Sequence, residues 1–233
     1  SGPMIILAGA GSGKTRVLTY KVIYLIVEKG IDPMNILMVT FTNKAAAEMK
    51  HRIGTLLSPS YGSPRSVSTF HSMGVKILRE QAHFHTRSQG FSILDSKDSE
   101  KLVRKALKDA NYPLKEWSPS AVKNMISSIK HEYVDNPTLS NPENPKEEML
   151  AAIFPVYEKM LAEHNAYDFD DLLRIPLRIL RATPSVKAFY QARWRFISVD
   201  EYQDTSPDQD EIIAHLLGKE QNICVVGDDY QSI

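Results

Sequence analysis

Residues 4–15, which read MIILAGAGSGKT, decide the fold of this chain. An apolar run suited to a buried strand is followed by alternating glycines, then by Lys14, Thr15 and a helical pattern. Glycine lets backbone N–H groups converge on an anion, and the positive end of the helix dipole favours negative charge there. The stretch therefore predicts a phosphate-binding loop, with Lys14 serving the outer phosphates and Thr15 ligating Mg²⁺. The alternative is a Gly-rich turn with a chance Lys-Thr pair.

Composition is typical of a globular protein. Of the 233 residues, 42% are hydrophobic, which is ample for a packed core. No run of about 18 apolar residues predicts a membrane span. The single cysteine, Cys224, excludes an intrachain disulfide and a cysteine-based metal site. Because no secretory leader precedes the first strand, the expected location is cytoplasmic.

Charge is unevenly spread although the net charge is zero. Residues 1–79 hold ten Lys or Arg against three Asp or Glu, whereas residues 80–233 hold eighteen against twenty-five. This basic N-terminal third permits an anionic partner there, with an ordinary solvated surface as the alternative.

Two further strand–helix transitions follow the first. Residues 36–40 form a second apolar run that leads through Phe41 into an Ala-rich helical pattern, and residues 67–73 repeat the plan with Thr69 and His71. Ligands gather at the carboxyl ends of strands in open α/β sheets, where an aromatic ring can stack on a base. The alternatives are that Phe41 is a core residue and that His71 is a satisfied structural group.

The middle of the chain carries a helical pattern. Amphipathic spacing predicts helices over 99–110, 119–130 and 147–164, and Pro155 is expected to kink or break the third. Strand signals are few in this region, which predicts a helical subdomain inserted into the sheet domain.

Two acids follow an apolar run late in the chain. Residues 195–199 predict a strand, and Asp200 and Glu201 come directly after it. In a parallel sheet this edge also carries the Gly-rich loop, so Asp200 would hold Mg²⁺ and Glu201 would orient and deprotonate water. A last apolar strand, 223–226, precedes Gln231, which could reach a γ-phosphate or its attacking water. Helix capping is the alternative explanation of the adjacent acids.

Several segments, in order, resemble the motifs of superfamily 1 DNA helicases of the Rep, UvrD and PcrA type: residues 8–15, 39–49, 69–73, 168–173, 199–205 and 225–233. The family more often has Asp where this chain has Tyr230. The resemblance implies an α/β fold, with a RecA-like parallel sheet flanked by helices (a phosphate-loop NTPase) and an inserted all-α subdomain. The expected divisions are 1–90 and 167–233 for the sheet domain and 91–166 for the insertion.

The resemblance also implies ATP-driven 3′-to-5′ movement on single-stranded DNA, in repair or replication, with ATP and Mg²⁺ as cofactors. It implies nucleotide binding by Ala8, Gly9, Ala10, Gly11, Ser12, Gly13, Lys14 and Thr15; Mg²⁺ binding by Thr15 and Asp200; catalysis by Lys14, Glu201 and Gln231; and DNA contacts by Phe41, Thr69 and His71.

Members of this family have an adenine-reading glutamine motif before the first strand and a second motor domain with arginine fingers. The chain is therefore expected to be the N-terminal half of a helicase, partnered by that second domain of the same polypeptide and unable alone to unwind DNA. Two other hypotheses stay open: a different phosphate-loop ATPase or kinase, and a binding module that holds nucleotide only as a structural ligand.

Overall fold

The computed structural model describes residues 2–7, 9, 13–132 and 142–228. Its contacts form two compact units: a sheet unit of Ser1–Met73 with Leu180–Ile233, and a helical unit of Gly74–Ile179. The sequence placed the inserted subdomain at 91–166, within narrower limits than those of the helical unit.

The described residues form seven strands: β1 (Met4–Leu7), β2 (Ile36–Thr40), β3 (Ser66–Thr69), β4 (Ser92–Ile93), β5 (Ala166–Tyr167), β6 (Phe196–Val199) and β7 (Ile223–Gly227). They also form nine α-helices: α1 (Lys14–Val27), α2 (Asn43–Leu56), α3 (Phe70–Glu80), α4 (Ser96–Asp109), α5 (Pro119–Glu132), α6 (Pro145–Glu163), α7 (Asp171–Ala182), α8 (Pro184–Arg193) and α9 (Pro207–Leu216). Among the described residues, no helix has the length and apolar character needed to cross a membrane.

The sheet unit is built on a five-stranded parallel sheet in the order β1-β7-β6-β2-β3. Because the strands are parallel, their carboxyl ends lie along one edge. Val39 pairs with both Ser68 and Val199, and Val225 pairs with both Ile5 and Val199, which fixes the order of the strand ends. The predicted α/β fold with a parallel sheet is confirmed.

Helices α1 and α2 cover one face of this sheet. Their buried residues Leu18, Val22 and Met49 pack in one cluster with Met38 of β2 and Cys224 of β7. Cys224 is thus a small buried hydrophobe, as its apolar neighbours predicted.

The first strand is not buried, contrary to the expectation from its apolar run. Met4, Ile5 and Leu7 expose 47%, 70% and 61% of their surface. Within the described residues β1 pairs only with β7, so it lies at the edge of the sheet. An apolar run predicts a strand, but whether that strand is buried depends on its position in the strand order.

The helical unit is built around α4, α5 and α6, which pack on one another around buried residues such as Val103, Ile126 and Ile153. A short parallel pair, β4 with β5, is added to these helices. The helix α6 continues through Pro155, so of the predicted kink or break the break does not occur. Buried Phe154 and Tyr157 on either side of Pro155 help to hold the helix in place.

A network of charged side chains is buried in the helical unit. Lys130, with no exposed surface, lies 2.7 Å from Asp168, 2.8 Å from Glu158 and 3.0 Å from Asp171. Arg174 adds a second cation, 2.9 Å from Asp171. Burial and the charge of Asp171 raise the pKa of Asp168 to about 6. Lys130 therefore compensates two carboxylates that are almost completely buried, those of Asp168 and Asp171.

We expect Lys130→Met to lower the free energy of unfolding by about 3–5 kcal/mol, because removing one partner of a buried ion pair leaves its counter-charges uncompensated. Lys101→Met is a matched control: Lys101 is mostly exposed on α4, and its pair with Asp98 is worth less than about 1 kcal/mol. Urea unfolding of the three proteins, followed by circular dichroism, measures both differences. Equal losses in the two variants would contradict the importance of the network.

Candidate nucleotide-binding site

Helix α1 begins directly after a glycine that no other residue replaces without strain. Gly13 has φ +88°, in the left-handed region, and α1 starts at Lys14. Gly9, just beyond β1, is exposed. The remaining residues of the predicted loop, Ala8, Ala10, Gly11 and Ser12, lie outside the described residues.

The acidic pair ends β6 as the sequence predicted. The backbone N–H of Asp200 donates to Val39 O at 3.0 Å, so the ladder with β2 extends to this residue. Glu201 then adopts φ +51°, unusual for a residue with a side chain, and a 3₁₀ turn follows over Tyr202–Asp204. Strained backbone of this kind is concentrated at functional sites.

The start of α1 and the end of β6 face each other. Lys14 Nζ donates to Glu201 Oε2 at 3.0 Å, and Thr15 Oγ1 donates to Asp200 Oδ2 at 3.0 Å. The predicted proximity of the Gly-rich loop and the acidic pair is thereby confirmed for these four residues. They bring one ammonium, one hydroxyl and two carboxylates together at the carboxyl edge of the sheet.

The electrostatics of the site favour charged side chains at Lys14 and Glu201. Burial alone would lower the pKa of Lys14, but its hydrogen bond to Glu201 and the surrounding carboxylates raise that pKa above its ordinary value. Burial would likewise raise the pKa of Glu201, yet hydrogen bonds from Gln203 and Lys14 hold it below its ordinary value. At Asp200, burial outweighs the hydrogen bond from Thr15 and raises the pKa.

Thr15 and Asp200 fit a Mg²⁺ site that nucleotide completes. Their oxygens are the hard ligands that Mg²⁺ prefers, and Mg²⁺ in such sites takes only one or two protein ligands beside phosphates and water. The described part of the chain holds no group of three or more His, Cys, Asp or Glu side chains suited to a metal.

Two polar residues of the site were not assigned a role from the sequence. Asp228, buried at the end of β7, lies 3.7 Å from Lys14 Nζ. Gln203 contacts both Glu201 and the backbone of Asp228. Asp228 directly follows a buried strand, as Asp200 does. The rule that an acid at the carboxyl end of a strand is a candidate site residue could therefore have predicted Asp228 as well. The pattern holds no comparable signal for Gln203.

The predicted DNA-contacting residues lie at the ends of β2 and β3, on the same edge of the sheet. Phe41 is half-buried and packs edge-on against Phe70, with ring centroids 5.7 Å apart. Thr69 is buried, and its hydroxyl bonds Ser72 at the start of α3. His71 lies half-buried in the first turn of that helix. Gln231 lies outside the described residues.

Comparison with known proteins agrees with this geometry. A family model of the UvrD/REP helicase N-terminal domain matches residues 1–233. The chain is 41% identical, over its full length, to the ATP-dependent DNA helicase PcrA of Bacillus subtilis, and 40% identical to the PcrA helicases of Staphylococcus aureus and Staphylococcus epidermidis. It covers 31% or 32% of each, so it spans about a third of the length of the curated relatives it matches.

We expect Glu201→Gln to change the free energy of unfolding by less than about 1 kcal/mol, because the Glu201 side chain is 37% exposed and such ion pairs contribute little. Lys14→Met is expected to cost more, since it leaves buried Asp228 and Asp200 without their neighbouring cation. Urea titrations at pH 7 compare the two variants with the unaltered chain. An equal or larger loss in Glu201→Gln would contradict this account.

Proposed function

The chain belongs to the UvrD/REP helicase N-terminal domain family, and we propose that it is the ATP-binding motor half of a helicase that moves 3′ to 5′ along single-stranded DNA. The observation that carries the proposal is the pairing of Lys14 with Glu201 and of Thr15 with Asp200 at one edge of the sheet. A phosphate-binding helix start and a water-activating acid are the two parts that ATP hydrolysis needs side by side.

In this proposal the loop and the start of α1 bind the phosphates of ATP. Lys14 contributes its ammonium to the outer phosphates, and residues 8–13 contribute backbone N–H groups. Thr15 and Asp200 would hold Mg²⁺. When bound, the ion supplies positive charge against the charge that develops on the phosphates.

Glu201 is the proposed base. Its pKa lies below the ordinary value, so it is ionised at neutral pH and can accept a proton from water. The water oxygen bonds to the γ-phosphorus, the bond from that phosphorus to the bridging oxygen breaks, and Glu201 takes the proton, which leaves ADP and phosphate. A weak base suffices because the transition state is loose. Gln231 is proposed to sense the γ-phosphate.

The DNA strand is proposed to lie along the ends of β2 and β3, over Phe41, Thr69 and His71. In the strand order β6 lies between β7 and β2, so these residues are one and two strands away from the acidic pair. Strands are spaced about 4.8 Å apart, so hydrolysis and DNA contact would be roughly 5–10 Å apart on one rigid edge. The excess of basic residues in 1–79 suits an anionic partner.

The complete motor is proposed to need more chain than these 233 residues. The relatives that carry the name ATP-dependent DNA helicase are about three times as long. Arginine fingers from a second motor domain can contribute about 10³–10⁵ in rate. We accordingly propose that the 233-residue chain binds nucleotide weakly, hydrolyses it slowly and separates no DNA strands.

Glu201→Gln is expected to slow ATP hydrolysis about 10²–10⁴-fold, the usual contribution of a general base, while nucleotide binding is kept. Single-turnover hydrolysis with the chain in excess over radiolabelled ATP measures the rate, and a fluorescent ATP analogue measures affinity. Glu220→Gln, an exposed acid before β7, is the control and leaves both unchanged. Unaltered hydrolysis in Glu201→Gln would contradict the proposed base and favour a module that only binds nucleotide.

Phe41→Ala is expected to weaken binding of a single-stranded oligothymidylate by about 1–3 kcal/mol, the range for one stacked base. Phe189→Ala is the matched control: Phe189 is 45% exposed on α8, a helix that precedes β6 and so leads to the opposite edge of the sheet. Fluorescence anisotropy of a labelled oligonucleotide compares the two. Equal weakening by both variants, or none by Phe41→Ala, would refute the proposed DNA path.

A further inference from the structure

Resting on the proposed function, we infer that Gln203 is a positioning residue for the catalytic base. Its side chain joins Glu201, at the end of β6, to the main chain at the end of β7. Through this bridge the orientation of the Glu201 carboxylate depends on where the chain leaves β7.

Both ends of the Gln203 amide are used. Nε2 donates to Glu201 Oε2 at 2.9 Å and to Asp204 Oδ2 at 3.2 Å, and Oε1 accepts from the backbone N–H of Asp228 at 3.0 Å. A primary amide carries a donor and an acceptor on the same terminal group, which a carboxylate or an ammonium does not. Only Asn and Gln carry such an amide, and the two-carbon reach of Gln sets the length of the bridge.

The bridge leaves one oxygen of the base available. Lys14 and Gln203 both donate to Oε2 of Glu201, whereas Oε1 accepts no hydrogen bond from the described residues. With Oε2 held by two donors from different elements, the plane of the carboxylate is fixed and Oε1 is left to bind the attacking water. Such orientation of a base by a neighbouring group is a common requirement of catalysis.

A glycine makes room for the bridge. A Cβ on Gly227, the last residue of β7, would lie 2.9 Å from Gln203 Oε1 and 3.6 Å from its backbone nitrogen. Its φ is not among the positive values of the described glycines, so the backbone conformation does not call for glycine. What requires the missing side chain is the close approach of Gln203 to the end of the strand.

The test is the titration of Glu201 in the 233-residue chain, followed by NMR of glutamate labelled with ¹³C at the carboxyl carbon. The Glu201 signal is the one that disappears in Glu201→Gln. Gln203→Ala is expected to move the titration midpoint upward by about one to two pH units, because a hydrogen bond to the charged carboxylate is lost. Gln203→Glu moves it further, since a second carboxylate then faces Oε2. Nucleotide affinity stays unchanged in Gln203→Ala.

Gly227→Ala tests the bridge independently, because it displaces the Gln203 amide without changing the side chain of Gln203 or Glu201. The titration midpoint of Glu201 is expected to move upward in this variant as well. The control is Gln191→Ala, which removes another bridging amide, between His215 O and Leu217 O, and leaves the Glu201 midpoint unchanged. Single-turnover hydrolysis at pH 7 falls in the Gln203 variants and not in the control.

The outcomes separate this inference from the proposed function. If Gln203→Ala and Gly227→Ala leave the midpoint and the hydrolysis rate unchanged while Glu201→Gln abolishes hydrolysis, the positioning role is refuted and the proposed base stands. If Glu201→Gln hydrolyses ATP normally, the proposed function itself fails, whatever the titration shows. A merely structural role for Gln203 would lower stability without moving the midpoint, as in the control.

Discussion

Hydrogen bonding of β6 to β7 on one side and to β2 on the other is the constraint on which the site depends. It places the acidic pair between the strand that leads to Asp228 and the strand that leads to Phe41. Helix α1 begins against the same edge, so Lys14 and Thr15 bond the acids directly. A parallel sheet produces this geometry because the carboxyl ends of all its strands lie along the same edge.

The two units handle buried charge differently. In the helical unit, Lys130 is enclosed completely and three carboxylates surround its ammonium group. In the sheet unit, Lys14 is nearly buried but its main partner, Glu201, remains partly exposed. The first arrangement fixes a structure, whereas the second keeps its ions close to solvent, where a phosphate can exchange places with a carboxylate.

Local patterns predicted the five strands of the sheet unit, the start of α1 and the acidic pair, because each depends on residues adjacent in sequence. They did not predict the short strands β4 and β5, whose two residues each carry too little pattern. They could not predict the exposure of Ile5, which depends on strand order, or the burial of Lys130, which depends on carboxylates from other helices. Gln203 was missed for a related reason: its role depends on Gly227, a residue that is distant in sequence and leaves no periodic signal. Long-range pairing thus sets the limit of what the sequence alone reveals.

The strand order also determines when the site can exist during synthesis. Lys14 and Glu201 are separated by 187 positions, and at about 5–20 residues per second a ribosome needs roughly 10–40 s to travel between them. During that interval β2 and β3 can pair, but β1 has no neighbour until β7 emerges. The nucleotide site is therefore among the last features of the sheet unit to form, and β1 stays unpaired until residues 223–227 have been synthesised.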